Sequence, residues 1–92
     1  MVTAVILINT QRGQVTRVAE HLAERAEISE VYSVAGGFDL VAIVRVHQNE
    51  DLARLVTDTI QNLDGIDRTE TLIAFKAYSR HDLDGMFSVG MQ

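Results

Sequence analysis

Residues 31–46 read VYSVAGGFDLVAIVRV, two strongly β-forming runs on either side of the Gly36–Gly37 pair, with Phe38 and Asp39 directly after it. Glycine takes up positive φ without a Cβ clash, so a glycine pair between β-rich runs predicts a tight hairpin. The hairpin predicts strands over Ile28 to Ala35 and Leu40 to Val46, with a carboxylate planted at the turn.

Working outward, Val2 to Thr10 is an almost wholly apolar run ended by Asn9, Thr10 and Gly13, which reads as a central strand covered on both faces. Val15, Val18, Ala19, Leu22, Ala23 and Ala26 then recur at helical spacing, opposite Arg17, Glu20, Glu24 and Arg25. Beyond the hairpin, Asn49 is a good N-cap, and Glu50 and Asp51 put negative charge where the helix dipole favours it. Leu52, Leu55, Val56, Ile60 and Leu63 make that helix's apolar stripe, and Asp64-Gly65 stops it. Thr69 to Tyr78 completes the set as a fourth strand, with Thr69, Thr71, Ile73, Phe75 and Ala77 on one face. The order βαββαβ is the ferredoxin-like α+β plan, a four-stranded antiparallel sheet with two helices on one face. The expected domain is residues 1–78; 79–92, with Met86, Phe87, Val89 and Met91, is a tail expected to pack at a subunit interface.

Ninety-two residues of which 47% are apolar suffice for one core and exclude a disordered chain. There is no cysteine, so disulfides and thiolate metal sites are excluded and a cytoplasmic location is expected. The first residues lack the basic segment of a signal peptide, and their apolar run is too short to span a membrane. A net charge of −5 with eight scattered basic residues argues against direct nucleic-acid binding, which rests on clustered Lys and Arg.

A sheet with one wet face should alternate cleanly between apolar and polar residues. Here Leu40, Ala42, Val44 and Val46 share one parity while Val41 and Ile43 hold the other, and the first strand behaves alike. Such a patch predicts that the second face is buried against another copy, with a two-fold homodimer as the default; the alternative is that the tail, Met86 to Met91, folds over its own sheet.

The three histidines, His21, His47 and His81, are far apart and have no metal-ligand neighbour at helical or strand spacing; no metal site, cofactor or catalytic group is expected. Asp39 is the carboxylate that stands out, because it follows a turn and enters an apolar strand. One reading has it hydrogen-bond turn amides, as Asp often does. The other joins it to a site: unshielded amides at Gly36 and Gly37 meet a carboxylate, Asp39 neutralises an ammonium, and Thr69 and Thr71 offer hydroxyls. That donor and acceptor set suits an α-amino acid. Since the second and fourth strands are opposite edges of the sheet, such a site is expected to form between subunits.

Three ordered stretches carry a resemblance: Ala4 to Thr10; Val31 to Leu40 with its glycine–aspartate loop; and Leu63 to Thr71, which looks like a G-V-x-R-T-x-T element. The chain resembles the ligand-binding RAM domain of the Lrp/AsnC (feast/famine) transcriptional regulators, in a stand-alone form that begins at the first strand and lacks the helix-turn-helix domain. The resemblance implies a dimer whose sheets face each other, assembly of dimers into an octamer, and an amino acid bound between dimers. Carried onto this chain, the ligand contacts are Gly36, Gly37, Phe38, Asp39, Thr69 and Thr71, and co-assembly with a full-length regulator is a further expectation. The rival from another class is a cofactor-free enzyme of the dimeric α/β-barrel type, a monooxygenase or isomerase, which needs an enclosed pocket with convergent polar groups.

Overall fold

The computed structural model describes residues 1–78 and Arg80. Apart from Arg80, the tail expected at 79–92, His81 included, lies outside the described residues. The elements are β1 (Val2–Thr10), α1 (Val15–Ala23), β2 (Ile28–Ser33), β3 (Leu40–Val46), α2 (Asn49–Arg54) running into a π-helical segment (Leu55–Ile60), and β4 (Ile66–Ile73). They form one antiparallel sheet in the order β2-β3-β1-β4, the ferredoxin-like arrangement.

Cross-strand partners share a sheet face, so the register sorts the residues. Ile8 lies opposite Leu40, Ile6 opposite Ala42 and Ala4 opposite Val44, and all six are fully buried. Val18 and Leu22 of α1, with Leu52, Leu55 and Ile60, cover this face. On the open face Leu7 lies opposite Val41 and Val5 opposite Ile43, all four half-buried, while Tyr32 is 48% and Leu72 47% exposed.

Several boundaries depart from expectation. β2 stops at Ser33, and the connection is a six-residue loop, Val34 to Asp39, closed by the Val34 N–H donating to the Asp39 carbonyl at 3.0 Å; it is not a tight hairpin turn. Within it Gly36 alone has positive φ, +126°. α1 ends at Ala23, where the Arg25 N–H turns back to the Leu22 carbonyl, so Ala23 and Ala26 are exposed and do not extend the apolar stripe. The first residue outside α2 is Gln48, one before the expected cap, and its N–H donates to the Asp51 carboxylate at 3.2 Å. Leu55 and Ile60 are five residues apart and both buried, a spacing that the wider π turn accommodates; there the Gln61 N–H donates to the Val56 carbonyl at 3.0 Å.

β4 begins at Ile66, three residues before the expected start, and ends at Ile73. Just beyond that end the Ala74 N–H still donates to the Thr3 carbonyl at 2.9 Å. Phe75 and Tyr78 therefore lie past the sheet, fully and 75% exposed. Gly65, at φ +99°, makes the turn into β4, accepts from the Gln11 N–H at 2.7 Å, and sits under α1, where Arg17 also donates to the Asp64 carbonyl.

Candidate functional site

The six-residue loop is fastened to the C-terminal end of β1. The Asp39 N–H donates to the Ile8 carbonyl at 2.9 Å, which continues the β1–β3 ladder one residue past Leu40. Asp39 Oδ2 accepts from the Thr10 N–H at 2.8 Å and from Thr10 Oγ1 at 3.3 Å. The Asn9 side-chain amide donates to the Gly37 carbonyl at 3.0 Å. Asp39 thus hydrogen-bonds an amide, as the structural reading of this residue has it, but an amide of β1 and not of its own turn. Both bonds use Oδ2, and Oδ1 takes no bond among the described residues.

Phe38, half-buried between these two fastened residues, reaches across the end of β1 to β4: Arg68 Cζ lies 5.5 Å from the centroid of its ring. A guanidinium at that distance over an aromatic face is held by the ring's quadrupole. Arg68 lies opposite Asn9 in the register, so Asn9, Gly37, Phe38 and Arg68 gather at one end of the open face.

The threonines are placed differently. Thr69 lies opposite Ile8 and Thr71 opposite Ile6, so both belong to the helix side of β4 and are half-buried there. Within one protomer the loop residues Gly36, Gly37, Phe38 and Asp39 come together, and Thr69 and Thr71 do not join them. A cavity of about 280 Å³ beside β4 is bordered by Gln61, Asp67, Arg68 and Thr69 together with Ile60 and Ile66, so Arg68 neighbours both halves of the expected site.

Asn9, Thr10 and Arg68 complete the local constellation, although the sequence singles out none of them as a ligand contact. The available signals were the polar pair closing an apolar strand and an arginine directly before Thr69.

The larger cleft, about 340 Å³, lies at the opposite end of the sheet. Four of its charged residues form ion pairs, Arg25 with Glu27 at 3.2 Å and Arg54 with Asp51 at 3.9 Å, and it touches none of the expected site residues. His21 and His47 are exposed, and no cluster of three potential metal ligands occurs among the described residues. Nor does any helix among them have the length and apolarity to cross a membrane.

Topology and loop together define a small ferredoxin-like module whose chemistry is gathered at one end of the sheet. The sequence model of the Lrp/AsnC ligand binding domain matches residues 3–83, and the chain belongs to that family. The HTH-type transcriptional regulator FL11 of Pyrococcus horikoshii is 35% identical over 75 residues, 82% of this chain and 49% of the regulator. The chain thus spans about half the length of the curated relatives it matches. Among solved structures, TTHA0845 from Thermus thermophilus is 48% identical with a TM-score of 0.82, covering 87% of this chain and all of that one. Hypothetical protein PHS023 from Pyrococcus horikoshii is 36% identical with a TM-score of 0.79, covering 88% and 98%. The curated relatives that match are named as transcriptional regulators, and the chain carries the ligand-binding module of that regulatory family.

Proposed function

We propose that this chain is an amino-acid effector-binding and oligomerisation module of Lrp/AsnC-type regulation, cytoplasmic and non-enzymatic. The fastened loop carries the reading: Gly36 and Gly37 present backbone unshielded by side chains, and Asp39, held in place through Oδ2, keeps a second carboxylate oxygen for an ammonium group. Membership of a ligand-binding family and the near-complete span of two solved relatives support it.

In this reading the open sheet face packs against a second copy, since Val5, Leu7, Val41, Ile43, Tyr32 and Leu72 form a contiguous apolar patch. Dimers assemble further, with an octamer as the expected size. Gly36, Gly37, Phe38 and Asp39 of one subunit meet Thr69 and Thr71 of another around the amino acid, because β2 and β4 are opposite edges of the sheet. Ligand then shifts assembly only as far as its affinity differs between assembly states, and co-assembly with a full-length regulator is the route from that shift to DNA.

Calorimetric titration of the assembled protein with each of the twenty amino acids tests the reading. Saturable binding of at least one is expected; no binding at millimolar ligand would remove the effector role and leave an assembly module.

A further inference from the structure

We propose that Arg68 is the carboxylate-binding residue of this effector site, with the Phe38 ring as its platform. The inference rests on the amino-acid reading above and adds a contact that the glycine amides alone do not supply.

A guanidinium held over a ring by its charge makes no hydrogen bond to the ring carbons and keeps its N–H donors for another partner. Arg68 Cζ sits 5.5 Å from the Phe38 centroid, its residue is exposed, and its side chain makes no hydrogen bond or ion pair with any other described residue. Its donor fork is therefore unoccupied and matches the planar geometry of a carboxylate. The platform is fixed on both sides, because Gly37 is tied to Asn9 and Asp39 to Thr10, so little conformational freedom remains to be lost when a ligand arrives.

Charge points the same way. The chain carries a net charge of −5, a field unfavourable to an anion, so an α-carboxylate needs a local cation. Arg68 is the basic side chain packed against the loop, and Asp39, next to Phe38 in the chain, carries the opposite charge that an α-ammonium requires. One zwitterion could thus be read at both ends from the two sides of Phe38.

The test uses the assembled wild-type protein, the amino acid that binds it most tightly, and that amino acid's α-carboxamide, which keeps the ammonium and side chain but lacks the carboxylate charge. Loss of one charge-assisted contact weakens binding about ten- to a hundredfold. The wild type should show that penalty for the amide. Arg68→Ala should lose the same factor for the free acid and show no further penalty for the amide, with Arg68→Lys intermediate. Equal affinity of Arg68→Ala and wild type for the free acid, or an undiminished amide penalty in Arg68→Ala, would overturn the assignment while leaving the effector site standing. Failure of every amino acid to bind the wild type would remove both. Should Arg68→Ala fold poorly, Arg68→Lys and the amide comparison on the wild type still decide: no penalty in the wild type, or an undiminished one in Arg68→Lys, counts against it.

Discussion

On the helix side of the sheet Ala4, Ile6 and Ile8 of β1 and Leu40, Ala42 and Val44 of β3 are sealed from solvent; on the other side Val5, Leu7, Val41 and Ile43 are only half-covered, and Tyr32 and Leu72 stand exposed. Residue types on the two sides are alike, and what differs is the cover. Helices α1 and α2 close the first face within the chain, whereas the second has the composition of a core with no lid among the described residues. In the proposed reading a fold core and an assembly surface are written in one strand by its two parities, and the candidate site sits where the open face ends.

If the comparison is right, truncation should act on stability from one face and on association from the other. The largest effect is expected for Ile6→Ala, which empties a fully buried position and should lower unfolding free energy by about 2–5 kcal/mol in denaturant melts. Leu7→Ala, one residue away on the open face, should leave a separated monomer much closer to wild type. Equal losses in both would erase the distinction.

Gly65→Ala comes next. At φ +99° an added Cβ is strained, and it would fall 2.5 Å from Arg17 Nη2 and 3.0 Å from Val18 Cγ2. A loss of about 1–3 kcal/mol in the same melts is expected from the left-handed backbone and the crowding under α1.

Asp39 sharpens the contrast between fastening and binding. Asp39→Ala removes both bonds to Thr10 and should cost about 1–3 kcal/mol together with amino-acid affinity. Asp39→Asn keeps an acceptor oxygen for the Thr10 N–H and removes only the charge, so stability should stay near wild type while calorimetric affinity falls. An Asn variant that binds as well as wild type would reduce Asp39 to a loop fastener.

The smallest effect belongs to Tyr32 on the open face. Its hydroxyl donates to the Glu30 carboxylate, and this hydrogen bond, with minor help from desolvation and the Glu30 charge and against the opposing pull of Arg45, raises the phenol above its ordinary 10.0. A folded-state pKa raised in this way means that the small stabilisation is present below the unfolded value and fades as pH rises through the folded one. A tyrosinate absorbance titration should show a component above that value that moves down in Glu30→Ala.

Much of this was legible in the residues. The limits of β1 and β3 follow from apolar runs bounded by polar residues and glycine, and the five apolar positions of the second helix all face the core. The ends of β2 and β4 were not legible, because the β-forming sequence runs on past Ser33 and Ile73 while the pairing to the neighbouring strand does not. In the candidate site, the loop residues Gly36, Gly37, Phe38 and Asp39 stand out in the sequence by a glycine pair and a carboxylate in an apolar setting. Thr10 and Arg68 do not, since the Thr10–Asp39 bond joins residues 29 apart and the Arg68–Phe38 contact joins separate strands and loops.

The claim that the open face is an assembly surface is tested most directly by sedimentation velocity at micromolar concentration on wild type and Ile43→Lys, whose side chain lies at the centre of that face opposite Val5. Wild type should sediment as a dimer or a larger assembly, and Ile43→Lys as a folded monomer with wild-type circular dichroism. A monomeric wild type, or an Ile43→Lys variant that assembles unchanged, would contradict it.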